Sequence, residues 1–97
     1  MELEQLRIFT AVADEGSFTG AAQRLYISHS TVSRAVSALE EELGVRLVER
    51  DNRFLGLTGA GGTLLEEATR ILEMSENAAA KVKAAAEKET VIKDEIF

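Results

Sequence analysis

Residues 26–44, YISHSTVSRAVSALEEELG, decide the fold of this chain. The stretch opens with small polar side chains and then carries apolar residues at spacings of three and four, which predicts a helix over about residues 29–43. Ser28 is the expected N-cap of this helix, and Gly44 is its expected C-terminal stop. The apolar stripe consists of Val32, Ala35, Val36, Leu39 and Leu43. The polar first turns of this helix are not needed for packing and are therefore available for binding.

Two further helices are predicted before this stretch. The first ends near Gly16, and its apolar face consists of Leu3, Leu6, Phe9 and Ala13. Ser17 is the expected N-cap of a second, short helix over residues 18–26. Too few residues separate the second and third helices for an antiparallel pair, so the two must cross steeply. This geometry predicts a helix-turn-helix over residues 18–37.

The helical pattern is interrupted at residues 45–58, VRLVERDNRFLGLT. Val45 and Leu47 alternate with outward residues, residues 51–53 have turn chemistry, and a second apolar run follows. These signals predict a small β-hairpin. Three helices followed by a two-stranded hairpin make a mainly α winged helix-turn-helix domain, which we assign to residues 1–58.

A long helix is predicted over residues 59–89. Its apolar residues recur at alternating spacings of four and three, the period of a coiled-coil seam. About thirty helical residues extend roughly 45 Å, more than one small domain can cover. The seam therefore predicts a homodimer, or a higher oligomer in a longer form of the protein. The predicted seam residues are Leu64, Leu65, Ala68, Ile71, Leu72, Ser75, Ala78, Val82 and Ala85.

Residues 90–97, TVIKDEIF, allow two interpretations. Thr90, Val91 and Ile92 are β-branched and weaken a helix, whereas Ile92 and Ile96 keep the apolar period in phase. The segment is therefore expected to be either the end of the helix or an extended tail.

Composition restricts the function to surfaces. The 97 residues include no cysteine and one histidine, so disulfides and thiolate metal sites are excluded, no metal or other cofactor is expected, and an enzyme is disfavoured. No apolar stretch approaches the about 20 residues that a membrane span needs, and the N-terminal segment lacks the pattern of a signal peptide. These features predict a cytoplasmic protein with no membrane contact.

The net charge of −6 argues against a nucleic-acid partner, but its distribution does not. Arg24 and Arg34 are the only formal charges within residues 16–39, which makes the helix-turn-helix locally basic. The second helix of such a motif lies in the DNA major groove, where short polar side chains permit close approach to the bases. This role is expected for Ser28, His29, Ser30, Thr31 and Ser33. The alternative is a winged-helix module whose acidic surface binds a basic protein.

The segments LRIFTAVADEGSFTGAAQRLYISHSTVSRAVSALEEELGVRLVER and LTGAG resemble the LysR-type transcriptional regulators of bacteria. The resemblance covers residues 1 to about 88. It implies sequence-specific binding of double-stranded DNA by a dimer whose linker helices pair antiparallel. The family commonly has Gln-Pro where this chain has His29 and Ser30, so the family's usual base preference is not carried over. The implied DNA-binding residues are Thr19, Ser28, His29, Ser30, Thr31, Ser33, Arg34, Ser37, Arg50 and Arg53.

Overall fold

The computed structural model describes the backbone of residues 1–50 and 55–96, and the side chains of residues 1–49 and 56–88. Two short antiparallel strands pair with Val48 opposite Leu57. The predicted winged helix-turn-helix with a long C-terminal helix is confirmed. The elements, in chain order, are α1 (Leu3–Glu15), α2 (Phe18–Leu25), α3 (His29–Leu43), β1 (Val48–Arg50), β2 (Leu55–Leu57) and α4 (Gly59–Ile96).

Capping residues set the ends of the first three helices. The hydroxyl of Ser17 accepts a hydrogen bond from the Gly20 amide, and the hydroxyl of Ser28 accepts one from the Thr31 amide. Gly16 and Gly44 adopt left-handed conformations, with φ values of 63° and 69°, and end α1 and α3. The predicted caps Ser17, Ser28, Gly16 and Gly44 are therefore confirmed, and α2 ends at Leu25, one residue earlier than predicted.

One hydrophobic core joins the three helices, the base of the β1–β2 hairpin, which we call the wing, and the first turns of α4. Ala21 is fully buried in α2, and its small side chain allows the neighbouring helices to approach closely. Leu3 and Leu43, which belong to the predicted apolar stripes, are exposed at helix ends instead. The buried core consists of Leu6, Ile8, Phe9, Ala11, Val12, Ala21, Ala22, Val32, Ala35, Val36, Leu39, Leu47, Val48, Leu64 and Ala68.

The hairpin begins later than the sequence pattern predicts. Val45 is exposed, whereas Leu47 and Val48 are both buried, so the expected alternation from Val45 is wrong. The amides of Gly44 and Val45 both donate to the backbone oxygen of Glu40, which turns the chain sharply at the end of α3. The first strand therefore begins only at Val48. The predicted turn at residues 51–53 lies outside the described residues.

The long helix starts at Gly59 as predicted and continues to Ile96, so residues 90–96 continue the helix and do not form an extended tail. Leu64 and Ala68 are buried in the core of their own domain, because the first turns of α4 pack on α1. Their assignment to the dimer seam is therefore corrected. The predicted division after residue 58 separates elements that share one core. None of the described helices has an apolar stretch long enough to cross a membrane.

Candidate nucleic-acid interface

The N-termini of α2 and α3 lie side by side. Phe18 is the first residue of α2 and His29 is the first residue of α3, and their ring centroids are 5.9 Å apart with the rings tilted by 53°. The first turn of any helix presents unpaired backbone N–H groups and the positive end of the helix dipole. Two such ends on one surface favour an anionic partner, and a phosphate backbone is such a partner.

Ser28 organises the hydroxyl groups at the start of α3. Its Oγ atom accepts from the Thr31 amide at 3.1 Å and lies 2.7 Å from Thr31 Oγ1 and 3.2 Å from Ser30 Oγ. Each hydroxyl has one donor and two acceptor positions, so the cluster retains hydrogen-bonding capacity. Ser28 and Ser30 are exposed and Thr31 is half-buried. Ser28 is therefore first of all a cap, and Ser30 is better placed for a partner.

The exposed face of α3 lies opposite its core face. Ser30, Arg34 and Ser37 follow one another at spacings of four and three, so the three residues share this side of the helix and all three are exposed. Val32, Val36 and the other buried residues of α3 occupy the opposite side. Ser33 is half-buried at the edge of the exposed face. We call the surface of Ser30, Arg34 and Ser37 the α3 face.

Within residues 1–49, Arg34 differs from the other arginines in its surroundings. The other arginines of residues 1–49 are in ion pairs: Arg7 with Glu4, Arg24 with Asp14 and Glu15, and Arg46 with Glu40. Arg34 is exposed and has no ion pair within this part of the chain. The expectation that Arg24 adds to a local positive charge is therefore corrected, because Arg24 is paired with two acids of α1.

The remaining predicted DNA-binding residues are placed unequally. Thr19 is exposed in the first turn of α2. His29 is also exposed, and its contact with Phe18, the residue before Thr19, places it at the same end of α2. Arg50 pairs with Leu55 at the end of the described hairpin, but its side chain is outside the described set. Arg53 lies outside the described residues. The structure thus brings together the α2 and α3 residues and leaves the wing arginines as predictions.

Two notable residues were missed at the sequence level. Tyr26 ends α2 with φ of 57° and has a side chain that is 95% exposed. A left-handed backbone conformation costs a non-glycine residue roughly 1–2 kcal/mol, so tyrosine is an unusual residue at this position. Glu40 lies in α3 and its carboxylate accepts backbone hydrogen bonds from the start of the wing. The sequence signal for Glu40 was its spacing of four residues from Val36, which places it at the edge of the apolar stripe.

Three helices with a two-stranded wing, together with the polar α3 face, define a winged helix-turn-helix protein. Residues 3–62 match the family described as bacterial regulatory helix-turn-helix protein, lysR family. This match covers more than half of the chain, and the chain therefore belongs to the LysR family.

A curated relative and two solved structures are similar to this chain. HTH-type transcriptional regulator ClcR of Pseudomonas putida is 48% identical over 85 residues, which are 88% of this chain and 29% of the relative. The crystal structure of the CbnR_DBD-DNA complex matches with a TM-score of 0.86 and 45% identity, covering 89% of this chain and 99% of that chain. The BenM_DBD/catB site 1 DNA complex matches with a TM-score of 0.86 and 40% identity, covering 89% and 96%. The chain thus spans less than a third of ClcR.

Proposed function

We propose that this chain binds specific double-stranded DNA as the DNA-binding module of a bacterial LysR-type transcriptional regulator. The α3 face is the observation that carries the proposal, because beside two helix N-termini it combines short polar side chains with an arginine that has no ion pair among the described residues. A helix with these properties fits the major groove. The similar CbnR and BenM domains were crystallised with DNA. A regulator of this kind acts in the cytoplasm, where the bacterial chromosome lies.

Each residue of the interface has a proposed role. We assign base reading to His29, Ser30, Thr31, Arg34 and Ser37. Arg34 is the strongest candidate, because its guanidinium is exposed and can donate two hydrogen bonds to guanine. We assign phosphate contacts that position the domain to Thr19, Ser33 and Arg50, and entry into the adjacent minor groove to Arg53.

We also propose that α4 pairs with α4 of a second copy. Val82 is 67% exposed and lies in the predicted seam with Ala78 and Ala85, which are also exposed, so the apolar stripe continues beyond the part of α4 that packs on its own domain. Residues 59–77 carry four acids and one arginine, whereas residues 78–88 carry three lysines and one acid. An antiparallel pair places the acidic half of one helix against the basic half of the other. The proposed interface residues are Leu65, Ile71, Leu72, Ser75, Ala78, Val82 and Ala85.

The half-buried residues Leu65, Ile71 and Leu72 also pack against the core of their own domain, which distinguishes them from the fully exposed end of the stripe. The free side of the stripe consequently lies mainly at Ala78, Val82 and Ala85. In a longer form of the protein, the same dimer is the expected unit of a higher oligomer.

A binding titration tests the DNA-binding proposal. The chain is used to select duplexes from a random pool, and the affinity for a selected duplex is compared with that for a scrambled duplex of equal composition. We expect preference for the selected duplex and an affinity that falls steeply with salt, since phosphate contacts release counterions. A chain that enriches no sequence from the pool and binds no duplex at low salt contradicts the proposal and favours a protein-interaction module.

A further inference from the structure

The base of the wing is attached to α3 through one carboxylate. Glu40 Oε2 accepts hydrogen bonds from the backbone amides of Leu47 at 2.8 Å and Val48 at 3.4 Å. The guanidinium of Arg46 lies 3.7 Å from the same oxygen. The side chain of Glu40 is only 14% exposed, so these bonds lie largely out of water. Charge-assisted hydrogen bonds of this kind are stronger than those between neutral groups.

The other side of residues 46–48 is held by Thr58, the residue directly before α4. The Leu47 oxygen accepts from the Thr58 amide at 3.0 Å, and the Arg46 oxygen accepts from the Thr58 hydroxyl at 2.6 Å. Residues 46–48 are thus fixed on one side by α3 and on the other by the chain that enters α4. Removal of the Glu40 carboxylate frees only the α3 side.

The position of Glu40 in α3 gives this attachment a consequence for DNA binding. Glu40 follows Ser37 by one turn, so the helix that carries the α3 face also carries the group that holds β1. Val48 is the first residue of β1, and its amide is one of the two donors. A fixed distance between the α3 face and the wing allows both to reach one duplex without a further ordering cost.

We propose that Glu40 is a positioning residue that sets the wing against α3 so that both elements contact DNA together. The inference rests on the proposed DNA-binding function and extends it to a residue that does not touch DNA. Loss of the acceptor leaves the Leu47 and Val48 amides without this partner and loosens the wing on its α3 side only, while the α3 face keeps its side chains. Glutamine in place of Glu40 retains an oxygen acceptor and is expected to preserve the attachment.

Hydroxyl-radical footprinting on a selected half-site tests the proposal, with the intact 97-residue chain at saturating concentration. Wild type is expected to protect the half-site and an adjacent segment on the wing side. Glu40→Ala is expected to keep the base preference and the half-site protection, to lose the adjacent protection, and to bind about tenfold more weakly. Glu40→Gln is expected to restore the adjacent protection. Ile8→Val, a buried change in α1, serves as the control for lost stability.

Circular dichroism and thermal unfolding accompany each footprint, so that only folded protein is compared. Glu40→Ala with the adjacent protection intact overturns the positioning role, as does an equal loss of that protection in Ile8→Val. A Glu40→Gln footprint identical to that of Glu40→Ala also overturns it, because the acceptor is then not the cause. A wild-type chain that leaves no footprint on any selected duplex contradicts the DNA-binding function itself, which is a separate result.

Discussion

The ring of Phe18 lies against the ring of His29, with centroids 5.9 Å apart. The contact joins the first residue of α2 to the first residue of α3, so the two helix N-termini are held as one surface. Thr19, the hydroxyl cluster around Ser28, and the α3 face all border this surface or continue from it. The interface therefore depends on the crossing of α2 and α3 as much as on any single side chain.

The first prediction concerns this ring contact. Phe18→Leu keeps an apolar side chain beside the core but removes the ring, so His29 loses its packing partner. We expect His29→Ala to weaken binding less in the Phe18→Leu background than in wild type, with a coupling of about 0.5–1.5 kcal/mol. Anisotropy titrations of the two single variants and the double variant on a selected duplex measure it. Additive losses would show that the contact has no role in binding.

Arg34→Ala is expected to weaken binding to the selected duplex by about 1–3 kcal/mol and to relax the preference at one base pair. The reason is that Arg34 has no competing ion pair with any residue that the structure describes. Arg24→Ala is the matched control, because Arg24 is paired with Asp14 and Glu15 and should not alter base preference. Selection from a random pool with each variant measures the preference. An equal weakening on all sequences by Arg34→Ala would identify a phosphate contact instead.

The start of α4 provides a test of the packing. A Cβ atom at Gly61 would lie 2.0 Å from the Leu47 oxygen, whereas one at Gly62 would meet nothing within 4 Å. We expect Gly61→Ala to lower the free energy of unfolding by about 1–3 kcal/mol through forced displacement of backbone. Gly62→Ala should raise it by up to about 1 kcal/mol, since alanine favours a helix over glycine. Urea unfolding measures the free energy of unfolding of both variants. Equal changes in the two variants would contradict the close contact at Gly61.

The dimer proposal predicts a separation of folding from assembly. Ala78→Asp with Val82→Asp places two negative charges in the exposed part of the stripe, where an antiparallel partner helix would bury them against its own acidic half. Sedimentation should show a monomer, while circular dichroism shows an intact winged domain. The control is Ala80→Asp with Ala84→Asp, which adds the same charges to the other side of the helix. A dimer that survives the first pair, or is lost equally with both, contradicts the interface.

Local chemistry was sufficient to predict the helices, because their ends are set by neighbours in the chain. Ser17, Ser28, Gly16 and Gly44 each act within four residues of the helix end that they define. The polar face of α3 was also predictable, since it follows from helical period alone.

Long-range contacts account for what the sequence pattern predicted wrongly or left out. Arg24 is ten residues from Asp14, and Glu40 is seven from Leu47, so neither pairing follows from helical spacing. Leu64 and Ala68 fit a dimer seam by period, but the docking of α4 on α1 buries them within the chain. A heptad pattern indicates that a helix has an apolar face, but it does not identify the surface that packs against this face.

Site-directed cleavage tests most directly whether the α3 face lies against the selected DNA half-site. The chain has no cysteine, so Ser37→Cys can carry an iron chelate at a single position, and Glu76→Cys on α4 serves as the control. With conjugates shown to remain bound, the chelate at position 37 should cut both strands within the selected half-site, and the chelate at position 76 should leave that half-site uncut. A bound position-37 conjugate that leaves the half-site uncut would contradict the account.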